Sequence, residues 1–193
     1  MRKFLLSVLA LFLLSGCSSK EIKPYDIYSI NDSSKNEQPL HVEKVLKIAK
    51  IKSSNQMQSD RIWYKESSVK IDSYFYSKWN TAFTDMLEQN LVNSISRSEL
   101  FKTTYSRYSK VRADLVLESE LIDSVHDISS GMVSFGIRLY LIEGSMLKSS
   151  KEFIYEEKCN SKDAKGAVEA YEKIIKKLNK DVILWLNKSV KED

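Results

Sequence analysis

The chain has 193 residues, of which 42% are hydrophobic, and carries 30 Lys and Arg against 26 Asp and Glu for a formal charge of +4. That length suits one domain, and that apolar share suffices for a packed core. The near balance of charge argues against a nucleic-acid partner.

At the N-terminus, Met1-Arg2-Lys3 is basic, and residues 4–14 are almost wholly apolar before Leu14-Ser15-Gly16-Cys17. The order basic, apolar, small is that of a secretory signal. The apolar run is shorter than the ~20 residues of a spanning helix. Leu14-Ser15-Gly16-Cys17 resembles the lipobox of bacterial lipoproteins. The resemblance implies a diacylglyceryl thioether on Cys17, which becomes the acylated N-terminus after removal of residues 1–16. That removal takes Arg2 and Lys3 and leaves the mature chain near neutral. Ser18 and Ser19 follow where a retention signal would place Asp, which favours the outer membrane, with the domain facing the periplasm.

Residues 17–24 read as a lipidated tether, and residues 25–193 as a single periplasmic domain. Residues 18–24 reach no more than about 25 Å at ~3.3–3.6 Å per residue, so the domain stays close to its membrane. Residues 25–30 alternate like a strand, 31–39 are a polar loop, and 45–51 are β-branched and strand-like. Residues 53–59 form another loop, and 61–66 and 68–71 read as a short hairpin. Phe75, Trp79, Phe83, Met86, Leu87, Asn90, Leu91 and Ile95 recur at spacings of three and four, which predicts a long helix with one apolar face. Its solvated face would carry Lys78, Thr81, Asp85 and Glu88. Trp79 and Phe83 read as core packing rather than a cofactor stack.

From Leu100 the period becomes two. Residues 101–105 and 113–122 read as strands, the latter with Leu115, Leu117 and Leu121 on one face. Ser129-Ser130-Gly131 is a turn. Val133, Phe135, Ile137, Leu139 and Leu141 then alternate with Ser134, Gly136, Arg138 and Tyr140. Gly144-Ser145 breaks that strand and residues 147–157 return as the next, so the last three strands form an antiparallel meander. Residues 167–187 are a final helix with Ala167, Val168, Tyr171, Ile174, Ile175, Leu178, Val182, Trp185 and Leu186 inward. The order strands, helix, strands, helix predicts an α+β fold, a mostly antiparallel sheet with two main helices packed on one face.

Catalytic signatures are missing. His41 and His126 are the two histidines, neither at metal-ligand spacing from another His or a Cys. Asp123 and Asp127 flank His126, which reads as the polar end of a strand rather than a metal site. Cys159 reads as a small, partly buried residue rather than a nucleophile. Lys173, Lys176, Lys177 and Lys180 form either a solvated helix face or a contact for anionic headgroups. No nucleophile elbow, P-loop or dinucleotide fingerprint is present. The expectation is a protein that is not an enzyme, with no metal, and with no cofactor apart from the covalent lipid on Cys17.

From Tyr25 onward the chain resembles the ABC-type transport auxiliary lipoproteins, the family that includes paraquat-inducible protein C. Tyr25-Asp26-Ile27-Tyr28 matches an early strand. A Val-Leu-Lys-Ile strand leads to Ser59-Asp60-Arg61-Ile62-Trp63-Tyr64, where the family has Asp-Arg before an apolar pair. Tyr76-Ser77-Lys78-Trp79 would open the long helix, with Lys78 and Ala82 standing where the family usually has Arg and Pro. The strand after Ala113-Asp114 also fits.

The resemblance implies a non-catalytic partner of an inner-membrane ABC transporter and an MCE-domain protein. Such systems move phospholipid or other hydrophobic molecules across the periplasm, and at least some members form rings. The implied functional surface is Asp60, Arg61, Trp63 and Tyr64, since an Arg among aromatics suits a contact hot spot. The same residues also fit core packing by Trp63 and Tyr64 beside a local Asp60–Arg61 ion pair. A structural or regulatory lipoprotein of an outer-membrane assembly or cell-wall synthesis complex is the alternative function.

Overall fold

The computed structural model describes residues 23–32 and 41–191. The lipobox, Cys17 and the first part of the tether lie outside them. Eight strands form one sheet: β1 Asp26–Tyr28, β2 Val42–Ile48, β3 Arg61–Lys65, β4 Ile71–Trp79, β5 Phe101–Tyr105, β6 Leu115–Asp127, β7 Met132–Glu143 and β8 Met146–Lys158. Among the described residues two α-helices, α1 Phe83–Arg97 and α2 Ala164–Ser189, complete the α+β fold.

The meander β6–β7–β8 is the backbone of the sheet, antiparallel along its whole length, and it matches the alternation read in the sequence. Val133, Phe135, Ile137, Leu139 and Leu141 all face the core with no exposure. Gly131 and Gly144 make the two turns at φ +70° and +60°, where a Cβ would be strained.

The other edge of β6 is shared by two strands end to end. β2 lies parallel beside Leu115–Leu117, Lys52 bridges to Glu120, and β3 lies parallel beside His126 and Asp127. Residues 53–60 leave the sheet between them in a short 3₁₀ turn, Asn55–Gln58. β5 pairs parallel with β2, while β4 pairs antiparallel with β3 and carries β1 parallel on its far side. The sheet is mostly antiparallel, the parallel pairings being short.

The predicted helix start is corrected. Residues 71–79 are strand β4, and the helix begins at Phe83. Phe75, Trp79 and Phe83 are spaced by four, which imitates a helical stripe, yet Phe75 is 74% exposed while Trp79 and Phe83 are 2% exposed. From Phe83 the periodicity holds, with Met86, Leu87, Asn90, Leu91 and Ile95 buried. Asn90 is tied down inside: Nδ2 donates to the carbonyls of Ile30 and Met86, and Oδ1 accepts from the Asp32 amide. Glu88 is also corrected. It is 4% exposed, not solvated, because Arg107 reaches it across 2.8 Å and also pairs with Asp85.

α2 buries the nine positions expected from its spacing. Asp163 caps its first turn by accepting the Gly166 amide at 2.8 Å, and a Cβ on Gly166 would stand 2.2 Å from the Ser161 carbonyl. Both helices cover one face of the sheet. Tyr171 of α2 meets Phe83 of α1 and Trp79 of β4 at ring distances of 5.3 and 5.6 Å.

Candidate functional site

β6 carries a bulge at Ile122. Leu121 pairs with Ile137 and Asp123 with Gly136, so the inward positions change from odd to even. Ile122 occupies the space over Gly136, where a Cβ would already be in contact. Beyond the bulge, Ser124 and His126 point into the core.

His126 is therefore not a polar strand end, as its neighbours in sequence suggest, but a fully buried side chain. Its Nδ1 is 2.8 Å from the Tyr74 hydroxyl, and the Tyr74 ring meets Tyr64 at a tilt, 4.8 Å between centres. Asp123 and Asp127 point elsewhere. Asp123 accepts from Ser134 Oγ, and Asp127 accepts from Ser129 and Ser130 in a tight turn that holds its carboxyl down at about 2. Among the described residues no three His, Cys, Asp or Glu side chains are placed to hold a metal ion.

Burial lowers the His126 pKa, against the opposing pull of Asp127 and Asp163. Its ordinary value is about 6.5, so below that pH the unfolded chain takes a proton that the folded chain resists. The stability from neutral His126 is present above about pH 6.5 and is lost as pH falls. His41 has the opposite sign. It is exposed, and its pKa is raised by the Glu99 carbonyl and then by Glu43. Its contribution is complete at low pH and fades as pH rises. Between pH 7.5 and 5.5, the wild-type denaturation midpoint is expected to fall further than that of His126→Gln, which keeps a hydrogen-bonding side chain without the titration. Equal falls in both chains would refute the assignment.

Asp60, Arg61, Trp63 and Tyr64 come out as two inner and two outer residues. Trp63 is half-buried, and its Nε1 donates to the Gln56 carbonyl at 2.9 Å, pinning the 3₁₀ turn. Tyr64 leans on Tyr74. Ile62 between them is core, at 1% exposure. Asp60 and Arg61 face solvent and do not pair with each other. Asp60 pairs with Lys78 at 3.2 Å, and Arg61 donates to Ser73 Oγ at 3.2 Å.

The outer pair lines an open hollow of about 270 Å³, together with Tyr25, Phe75 and Lys78. Parallel pairing of β1 with β4, Asp26 opposite Ser77, brings Tyr25 there from the tether side. The hollow thus joins a carboxylate, a guanidinium, an ammonium and the rings of Tyr25, Tyr74 and Phe75, a set suited to gripping a partner. Sequence reasoning missed Tyr25 and Phe75, since the first reads as strand and the second as core.

The space among Trp63, Trp79, Phe83 and Tyr171 is about 10 Å³, room for roughly one water. Lys173 pairs with Glu157, and Lys177 lies over the Tyr155 ring. Cys159 is partly buried, and burial pushes its thiol up, away from the reactive thiolate. No helix among the described residues is long and apolar enough to cross a membrane.

Residues 28–183 match the ABC-type transport auxiliary lipoprotein components. The chain belongs to that family. As an auxiliary lipoprotein it is a membrane-associated component of the cell envelope that serves an ABC transport system. The matched region runs from the end of β1 to within α2, so it takes in most of the fold just described. Among solved structures, a Xanthomonas campestris protein of the DUF330 family superposes with a TM-score of 0.79 at 19% identity, covering 86% of this chain and 97% of that one. A second structure, of an uncharacterized protein, gives 0.68 at 15% identity, covering 84% and 99%. Both likenesses concern the fold. A comparison with curated proteins returns no match.

Proposed function

We propose that this auxiliary lipoprotein is the non-catalytic, outer-membrane end of an ABC transport system of the MCE type, which moves phospholipid or another hydrophobic molecule across the periplasm. The observation that carries the reading is the family match over residues 28–183 in a chain that presents Leu14-Ser15-Gly16-Cys17 near its start. Acylation of Cys17 fixes the domain to the membrane. A docking or gating part, rather than a carrier that encloses a lipid, fits the aromatic junction at Trp63, Trp79, Phe83 and Tyr171, where an acyl chain would need far more than about 10 Å³.

Docking falls to the hollow at Asp60 and Arg61. A guanidinium at the rim of an aromatic recess is a common anchor in protein interfaces. The test is crosslinking of the lipidated chain in cells, through a C-terminal tag, followed by mass spectrometry of what is recovered. An MCE-domain protein together with a permease and an ATPase supports the reading. Recovery of cell-wall synthases or outer-membrane assembly factors without any transporter component sinks it.

Arg61→Ala is expected to lower recovery of the transporter components several-fold. Its effect on stability should stay within about 0.5 kcal/mol, as for an exposed side chain with one neutral hydrogen bond. Unchanged recovery would move the docking surface elsewhere.

A further inference from the structure

β4 is not a regular strand. Against β3, Arg61 pairs with Lys78 and Trp63 already pairs with Ser73, so two steps on β3 face five on β4. The surplus residues lie between Tyr74, which turns inward to His126, and the buried Ser77, and they project Phe75 and Tyr76 outward. In a regular strand Phe75 and Tyr76 would point to opposite faces. Here both rings stand in solvent, 74% and 47% exposed, and meet edge to face at 4.8 Å. Scattered apolar side chains on a surface are ordinary, but two adjacent aromatic rings displayed by a break in the strand are a concentrated patch.

Two further features say what covers it. The first is the tether. The described chain enters at Lys23, whose Nζ lies 5.6 Å from the centre of the Tyr76 ring, and Tyr25 follows, half-exposed, at the rim. Cys17 is six residues before Lys23, a span of about 20 Å at full extension. With the Lys23 side chain and its 5.6 Å contact added, the Tyr76 ring is held within about 30 Å of the anchor. The second is charge. Lys23 lies over Tyr76, and Lys78 Nζ, which also pairs with Asp60, is 5.5 Å from the Tyr25 ring, so both tyrosines of this edge carry an ammonium. Aromatic rings with a polar edge, ringed by lysines, match the boundary between headgroups and acyl chains of a bilayer that contains anionic lipid.

We infer that the Phe75–Tyr76 bulge, with Lys23, is a phospholipid-contacting surface that seats the domain on the bilayer holding its anchor, and that the Asp60–Arg61 side of the adjoining hollow stays open to a protein partner. The inference rests on Cys17 being that anchor. It gives the domain an orientation: the β1–β4 edge lies at the membrane, and β8 stands away from it.

The test places a benzophenone-bearing phenylalanine at position 75, 76 or 154 of the full lipidated chain. The chain is reconstituted in phosphatidylethanolamine vesicles with phosphatidylglycerol as the minor anionic component. Ile154 is the control, since it is 69% exposed and lies four strand spacings from β4, on the order of 20 Å. After irradiation, mass spectrometry is expected to find phospholipid adducts at 75 and 76 several-fold above those at 154. Adducts equal at all three positions, no lipid adduct at 75 or 76, or crosslinks at 75 to a second copy would each overturn the inference. The intact mass of the same preparation reports acylation of Cys17 separately. An unacylated Cys17 would remove the anchor, while adducts at 75 and 76 would still support the patch.

Discussion

Tyr171→Ala is expected to cost about 3–5 kcal/mol of folding stability, the range for removing a large buried aromatic. That is a large share of the about 5–15 kcal/mol that holds a domain together. Tyr171 is 2% exposed and sits where three elements meet. Its ring touches Trp79 at the end of β4 and Phe83 at the start of α1, and its hydroxyl accepts a hydrogen bond from Ser124 of β6 at 3.1 Å. Truncation opens a void beside aromatic neighbours that are themselves fixed by the sheet, so collapse into the space is limited. Tyr171→Phe keeps the ring and removes only the acceptor for Ser124, with an expected cost of about 1 kcal/mol. The ordering of the two variants, read from denaturant midpoints at unchanged m-value, separates packing from hydrogen bonding. A cost below about 1 kcal/mol for the alanine variant would mean that this junction does not hold the helices on the sheet.

The same junction shows why the sequence was legible in some places and misleading in others. β7 and α2 declare themselves because each buries one continuous face, so period two or period 3.6 survives along the whole element. β4 does not. It bulges, it pairs with two partners in different registers, and it ends in an aromatic that falls four residues before the first aromatic of α1. The result imitates one long helix.

β6 illustrates a second limit. Leu115, Leu117 and Leu121 announce the inward face, but the extra residue at the bulge moves every later side chain across the sheet. Nothing local marks the change except Gly136 on the neighbouring strand. His126 was thus readable as a residue but not as a buried one. Glu88 is hidden for another reason, since its burial depends on Arg107, nineteen positions away across the end of α1 and β5.

The candidate surface was half visible. Asp60 and Arg61 stood out as a charged pair within an aromatic segment. Tyr25 arrives only through the parallel pairing of β1 with β4, a contact between residues some fifty positions apart that no short connection signals, and Phe75 arrives on β4 beside β3, in a segment that reads as helix. Ile62, adjacent to Arg61, turns inward because strand geometry alternates, while Trp63 is half-buried under the 3₁₀ turn that its Nε1 holds. One tetrapeptide therefore supplies both the support and the exposed contact.

Cys17→Ala is expected to release the protein from the membrane. Each buried methylene of an acyl chain contributes ~0.8 kcal/mol, and two or more chains give stable attachment where one gives only marginal binding. No described helix can substitute for them. The aromatic bulge offers two rings and the lysines beside them, enough to orient a domain that is already held but short of the burial that a pair of acyl chains supplies. In cells, the wild-type chain should sediment with membranes, and the alanine variant should appear largely in the soluble periplasmic fraction with its fold intact. Transport through the system should fail with it, because the docking hollow near Asp60 and Arg61 is useful only at a fixed height above the bilayer. If the variant remained in the membrane fraction and crosslinked to the same partners, attachment would reside in the protein surface, and the acyl anchor would be dispensable.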